Sequence, residues 1–319
     1  MSSIPALYSL AGKRVWIAGH RGMVGSALRR RLAGSGCTLL TVGREDLDLT
    51  DQAAVARWMA AERPQVVVMA AALVGGIVAN ASRPAEFIRV NLAIAANTID
   101  AAHATGVEKL LFLGSSCTYP RLAAQPIAED ALMTGPIEPT SEAYATAKIA
   151  GMRMAQAYRR QYGDDFIVAI PTGVYGPGDT FDPEAGHVLP ALLRRFHEAK
   201  RDGLGAVTLW GSGAPLREFL HVDDLADALV FLLEHYSDVA PINVGSGVEV
   251  SIRELAERIA RLVGFDGEIR FDPAKPDGAP RKLLESARLA ALGWRAGRGL
   301  DQGLAETYAA WRAATGSAG

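Results

Sequence analysis

The order of apolar segments predicts an α/β chain built on a doubly wound parallel sheet, with a smaller C-terminal lobe. Three observations carry that expectation. Short, continuous apolar runs alternate with helical patterns through the first half of the chain, as strands buried on both faces and joined by helical crossovers require. A glycine-rich turn, Gly19-His20-Arg21-Gly22-Met23-Val24-Gly25, separates the first run from the first helix. Beyond Pro171 the alternation loosens. Residues 1–171, with a return over about 219–246, are therefore assigned to the sheet domain, and residues 172–218 and 247–319 to the lobe.

Taken in order, Arg14-Val15-Trp16-Ile17-Ala18 reads as a strand and residues 23–33 as a helix. Residues 38–42 form a second strand. Asp51 can cap a helix that ends before Pro64. Residues 65–70 form a third strand. The apolar run over 66–79 is broken by Gly75-Gly76 and is shorter than the ~18 residues of a membrane span; it is expected to pass from strand into loop. Pro84 suits the first position of a long helix. Lys109-Leu110-Leu111-Phe112-Leu113 is a fourth strand, a helix carries Tyr144, and residues 166–170 are a fifth strand. Residues 173–186 are expected to be a Gly/Pro/Asp-rich loop and 207–210 a short strand. Residues 223–235 read as a helix returning to the sheet and 242–245 as a further strand, with peripheral helices over 251–263 and 300–313.

The 319 residues carry a formal charge of −2. A near-neutral balance without a strong basic tract argues against nucleic-acid binding. Two cysteines, Cys37 and Cys117, make no disulfide framework and fit a reducing compartment. The first ten residues lack a basic segment followed by an apolar block, so the expected location is cytoplasmic, with no membrane partner. No His/Cys/Asp grouping has zinc spacing, and His197, His221 and His235 carry no motif.

Glycines at a strand–turn–helix junction permit a tight turn and close approach of the backbone to a pyrophosphate, which the helix N-terminus favours. The spacing here is G-x-x-G-x-x-G. Arg21 within the turn and Arg44 after the second strand suit a ribose 2′-phosphate, which favours NADP(H). Glu45 and Asp46 follow and keep NAD open, and Asp48-Leu49 are placed toward the adenine.

The most informative stretch is Ser141-Glu142-Ala143-Tyr144-Ala145-Thr146-Ala147-Lys148. Four residues apart on a helix, Tyr144 and Lys148 share a face. An ammonium there is expected to lower the phenol's pKa, making Tyr144 a proton donor or acceptor for a carbonyl oxygen. Gly114-Ser115-Ser116-Cys117-Thr118-Tyr119-Pro120 follows the fourth strand, where ligands of parallel sheets bind. Ser115 can hydrogen-bond a substrate oxygen or cap the strand end. Cys117 is either a small buried hydrophobe or, if a cation or helix terminus favours its thiolate, a base. His187 is either a general acid or a helix-start residue. Trp210, Arg195, Arg217, Arg281 and Lys282 place an aromatic ring and positive charge in the half expected to hold substrate. Guanidinium groups bind diphosphates by paired hydrogen bonds.

Together these segments resemble the extended short-chain dehydrogenase/reductases, and more closely the NADPH-dependent 3,5-epimerase/4-reductases that form GDP-L-fucose from GDP-4-keto-6-deoxy-D-mannose. The resemblance rests on GHRGMVGSA at Gly19, VGGIVAN at Val74, LGSSCTYP at Leu113 and EAYATAKIAG at Glu142. HVLPALLRRFHEA at His187, LWGSGAPLREFLHVDD at Leu209 and KPDGAPRKLL at Lys275 extend it over nearly the whole chain. It implies a Rossmann-like NADP(H) domain with Gly19, Arg21, Gly22, Met23, Val24, Gly25 and Arg44 on the cofactor, a reductase triad of Ser115, Tyr144 and Lys148, and Cys117 and His187 as epimerisation base and acid. It also implies a GDP-sugar site including Arg195, Trp210, Arg217 and Lys282, and a homodimer. Departures are Leu73 where the family often has a basic residue, Ser141-Glu142-Ala143 where Asn-Glu-Pro is frequent, and Pro183-Glu184-Ala185-Gly186 before His187, where Asn-Ser or similar is usual. Alternatives are another nucleotide-sugar epimerase/reductase of this kind, or an NADP-sensing protein without catalysis.

Overall fold

Successive side chains of a strand point to opposite faces of a sheet, and this chain buries both. The computed structural model describes residues 5–182, 186–275 and 277–316; the Pro183-Glu184-Ala185 departure lies outside the described residues. The first half runs β1 (Arg14–Ala18), α1 (Met23–Leu32), β2 (Thr38–Leu40), α2 (Gln52–Glu62), β3 (Val66–Met69), α3 (Ile77–Ser82), α4 (Pro84–Ala104), β4 (Lys109–Leu113), α5 (Glu142–Tyr162) and β5 (Phe166–Pro171). The second half runs β6 (Gly173–Tyr175), α6 (Val188–Arg201), β7 (Ala206–Trp210), β8 (Leu216–His221), α7 (Val222–His235), β9 (Ile242–Val244), β10 (Glu249–Ser251), α8 (Ile252–Val263), β11 (Glu268–Asp272), β12 (Arg281–Lys282), α9 (Ala287–Ala291) and α10 (Leu300–Thr315).

The main sheet has the order β2-β1-β3-β4-β5-β9 with every pairing parallel. Val15, Ile17, Val66, Val68, Leu111 and Leu113 pack with Leu28 of α1 and Leu229 of α7. Trp16, Val67, Met69, Leu110 and Phe112 pack on the other face with Met59 of α2, Ile99 of α4 and Met152 of α5. Strict alternation within one apolar run thus feeds two cores, which is why these strands read as continuous rather than alternating in sequence. The strand order reverses between β1 and β3, a switch point of the kind that binds ligands at strand C-termini.

A third core gathers Leu189, Leu193 and Phe196 of α6, Leu255 and Ile259 of α8, and Leu304 of α10. It lies with two small sheets, one in which β8 pairs with β6, β10 and β12, and one of β7 with β11. Among the described residues no helix is long and apolar enough to cross a membrane.

Several expectations are corrected here. The second strand ends at Leu40. Residues 77–82, expected as loop, form α3. The first residues of the expected loop over 173–186 form β6, which pairs in parallel with Phe219, Leu220 and His221 of β8. That strand is three residues long and rich in neither pattern nor length, so only its partner, some 46 residues later, reveals it. The 300–313 helix extends to Thr315.

Candidate active site

The glycine turn lies at the switch point. Gly19 has φ +88°, and a Cβ there would stand 2.7 Å from the Cα of Ala71 beyond β3. A Cβ on Gly25 would stand 2.1 Å from the Gly19 carbonyl oxygen. The turn is therefore closed to any larger residue at these two positions. Gly22 caps α1 without a side-chain hydrogen bond, and the first turn of α1 has no acidic residue, so its free N–H groups can receive an anion. Met23 and Val24 are half-buried against the core. This cradle fits a dinucleotide's pyrophosphate. Arg44 is exposed. Arg21 instead pairs with Glu45 at 2.5 Å, a bond that holds the Glu45 carboxyl below its usual range. The acid that kept NAD open in the sequence is thus the partner of the guanidinium expected to meet the 2′-phosphate.

At the end of β4 the chain leaves the sheet through Gly114, whose N–H donates to the Ala169 carbonyl at 2.8 Å. Ser115 is extended and opens a single 3₁₀ turn, Ser116–Thr118. Its hydroxyl accepts from the Cys117 N–H at 3.2 Å, and its carbonyl accepts from the Thr118 hydroxyl at 2.7 Å. Ser116 and Thr118 are buried, leaving Ser115 and Cys117 half-buried between them. Of the two alternatives for Ser115 the strand-end cap is present, and its hydroxyl also hydrogen-bonds Tyr144.

Helix α5 brings Tyr144 and Lys148 to this point because it can lie close on the sheet. A Cβ at Gly151 would stand 2.3 Å from the Phe112 ring and 3.1 Å from Ala95 of α4. Lys148 is 6 % exposed and donates to the Leu113 carbonyl at 2.9 Å. Its ammonium lies 5.1 Å from the Phe112 ring centroid and 6.0 Å from that of Tyr144. Burial lowers the Lys148 pKa to about 8.

The expected lowering of the Tyr144 pKa is not found. Burial raises it, the Cys117 charge raises it further, and only the Ser115 hydrogen bond opposes them. The same burial that weakens the Lys148 charge also disfavours a phenolate. Tyr144 is therefore held as a neutral phenol, the proton-donating form.

Lys282 of β12 completes the cluster, with its Nζ 3.8 Å from Cys117 Sγ. Arg217 of β8 is its register partner. Arg217 is half-buried, and burial lowers its pKa against the nearby charges of Asp277 and Glu138. The turn after β11 supports it: Gly278 has φ +73°, and a Cβ there would stand 3.6 Å from the Arg217 guanidinium. Arg281 is engaged elsewhere, with Glu249 at 2.7 Å. Trp210 and Arg195 form a separate pair of elements. Trp210 is 63 % exposed with Lys275 5.6 Å from its ring centroid, and Arg195 donates to the Thr208 carbonyl at 3.1 Å.

His187 caps α6 through its backbone, with no side-chain cap hydrogen bond. Its ring is open to water yet surrounded by protein, as a cleft wall is, and that environment lowers its pKa. Among the described residues it makes no side-chain hydrogen bond to Ser115, Cys117 or Tyr144. The geometry thus joins Ser115, Cys117, Tyr144, Lys148 and Lys282 directly, and leaves His187, Trp210 and Arg195 on neighbouring elements.

A model of the NAD dependent epimerase/dehydratase family matches residues 15–245. The chain belongs to that family. It is 57 % identical over 302 residues to a GDP-L-fucose synthase of Sinorhizobium fredii, covering 95 % of this chain and 96 % of that one. It is 52 % identical to the GDP-L-fucose synthase of Escherichia coli, covering 94 % and 96 %. Among solved structures, a GDP-L-fucose synthetase from Naegleria fowleri bound to NADP superimposes with a TM-score of 0.89 at 28 % identity, covering 99 % of each chain.

The structure also shows polar contacts that the sequence reading did not assign. Asn91 of α4 clamps Leu73, accepting from its N–H and donating to its carbonyl, each at 2.9 Å. A hydrogen-bonding clamp thus fixes the backbone at one of the departures. Asn243 of β9 accepts from the Tyr119 hydroxyl at 2.6 Å. His221, Asp223 and Glu306 lie close enough to suggest a metal site. The Arg298 guanidinium, however, already lies against both carboxylates, at 3.8 Å and 3.4 Å. His221 and Asp223 fall in the LWGSGAPLREFLHVDD segment, but the contacts with Leu73, Tyr119 and Arg298 are not legible there, because their partners are distant in the chain.

Proposed function

We propose that this chain is a GDP-L-fucose synthase, converting GDP-4-keto-6-deoxy-D-mannose to GDP-L-fucose by inversion at C3 and C5 and reduction at C4 with NADPH. The observation that carries the reading is a thiol, Cys117, set beside the hydroxyls of Ser115 and Tyr144 at the β4 terminus. A 4,6-dehydratase would want a carboxylate pair after that strand, and Ser116-Cys117-Thr118 has none.

The C4 ketone acidifies the hydrogens at C3 and C5. Cys117 removes each proton, and the electron pair of the broken C–H bond enters the enolate. His187 returns a proton from the opposite face, which inverts the centre, and before the second inversion solvent takes the proton from Cys117 and reprotonates His187. A lowered His187 pKa makes its imidazolium a readier proton donor. Positioned acid–base groups of this kind contribute roughly 10²–10⁴ in rate. Ser115 and Tyr144 then hold the C4 oxygen, and Tyr144, kept protonated by burial, donates the proton that oxygen needs.

When bound, the reduced nicotinamide supplies the hydride to C4. Gly19, Gly22 and Gly25, with Met23 and Val24, hold the cofactor's pyrophosphate on α1, Arg21 and Arg44 take the 2′-phosphate, and Lys148 holds the nicotinamide ribose. Arg195, Trp210, Arg217 and Lys282 face the GDP moiety. The same reading puts the cofactor on residues 1–171 with 219–246 and the sugar nucleotide on 172–218 and 247–319, in a cytoplasmic homodimer joined through α4 and α5.

The test is NADPH oxidation with GDP-4-keto-6-deoxy-D-mannose in deuterated water, with NMR of the product. GDP-L-fucose carrying deuterium at C3 and C5 is expected. NADPH consumption without inversion would reduce the assignment to a 4-reductase. No consumption would favour another GDP-sugar or a cofactor-sensing protein.

A further inference from the structure

Lys282 came from the sequence as one of several cations for a diphosphate, yet its ammonium hydrogen-bonds the sulfur of Cys117. We propose that Lys282 is a positioning residue for the epimerisation base, holding the Cys117 thiolate in the free enzyme by ion pairing. The inference deepens the proposed function and rests on its reading of Cys117 as the base.

Lys282 Nζ stands 3.8 Å from Cys117 Sγ, and both residues are half-buried. Among the described residues Lys282 forms no ion pair with a carboxylate, whereas its neighbour Arg281 is neutralised by Glu249. A cation beside a thiol favours the thiolate, which is the basic form.

The contact is built rather than incidental. Lys282 is paired through β12 to Arg217 of β8. On the other side Gln125 brackets the strand, donating to the Arg281 carbonyl at 3.2 Å and accepting from the Leu283 N–H at 2.9 Å. Ile127 continues the pairing, donating to the Leu283 carbonyl at 2.8 Å and accepting from the Glu285 N–H at 2.9 Å. The buried Glu218 accepts from the Leu284 N–H at 3.0 Å. Asn243 ties this arm to the turn that carries the thiol. It accepts from Tyr119, two residues after Cys117, at 2.6 Å, and donates to the Ile127 and Glu285 carbonyls at 2.9 Å and 3.1 Å. Buried side chains with complete hydrogen bonding hold such a separation rigidly.

The charge balance follows. As Cys117 takes a substrate proton, an S–H bond forms, the C–H pair moves into the enolate, and Lys282 keeps its three protons throughout.

The experiment is the alkylation rate of Cys117 by neutral iodoacetamide at about pH 7, read by peptide mass spectrometry in a Cys37→Ala background without sugar or cofactor. Lys282→Met is expected to slow alkylation about tenfold, and Lys282→Arg to restore it to within about twofold. Lys282→Gln serves the same comparison if the Met variant does not fold, with circular dichroism confirming each variant. Alkylation of Lys282→Met or Lys282→Gln at the parent rate would overturn the proposal. So would equal slowing in Lys282→Arg, which would mark a packing effect. Because no sugar is present, failure of the GDP-sugar assignment would leave this result standing, and the reverse also holds.

Discussion

Strand β4 has a buried lysine at each end, and the two are treated in opposite ways. Lys109 opens the strand, fully buried, and its ammonium donates to Asp165 at 2.6 Å and to the Tyr236 carbonyl at 2.8 Å. Asp165 is itself held by Arg159 and by Ser237. Lys148 reaches the other end and, among the described residues, finds only the Leu113 carbonyl and two aromatic rings. Burial lowers the pKa of both lysines, but only at Lys109 does a carboxylate oppose it. A buried charge with a full set of partners belongs to the scaffold. One without a counter-charge among the described residues, with its pKa lowered by burial, is a candidate for a functional site.

The largest expected effect is at the unpaired end. Tyr144→Phe should lower kcat for ketone reduction by roughly 10²–10⁴ with little change in stability, measured by NADPH consumption and thermal melting. At the paired end the pattern reverses. Lys109→Met should destabilise the protein by about 3 kcal/mol in chemical denaturation, because Asp165 loses its buried cation, with kcat per folded molecule unchanged. A loss of kcat there would erase the distinction between the two ends.

Lys148→Met sharpens the comparison through pH. The folded-state pKa of Lys148, about 8, lies below the unfolded value of about 10.4. The ammonium therefore disfavours folding at all pH values below about 8. As pH rises from about 8 to 10 the folded state sheds the proton first, so the parent should gain about 2 kcal/mol relative to Lys148→Met. Parallel stability curves for the two proteins would contradict the assigned burial. The smallest effect is at the surface. Glu45→Gln frees Arg21, and the KM for NADPH should fall about two- to fivefold while that for NADH stays unchanged.

The sequence makes the same distinction only in part. Apolar runs and the glycine turn announced the main sheet and its cradle, because burial on two faces and, at Gly19 and Gly25, a sub-van-der-Waals approach leave few residue choices. Tyr144 and Lys148 were legible from a helical spacing. Their electrostatics were not, since spacing reports adjacency and not the depth at which burial overtakes an ammonium. β6 and α3 were missed because three- to six-residue elements owe their existence to partners far along the chain. The contact between Cys117 and Lys282 spans 165 residues and depends on Asn243 and Gln125, whose roles no local pattern encodes.

The account's central claim is that one cleft divides its chemistry, with proton exchange at Cys117 and ketone reduction at Tyr144. The most direct test follows deuterium wash-in at C3 and C5 by NMR, alongside NADPH consumption, for Cys117→Ser and Tyr144→Phe. Cys117→Ser should lose wash-in and retain some direct reduction. Tyr144→Phe should keep wash-in and lose reduction. Equal loss of both activities in each variant would contradict the division.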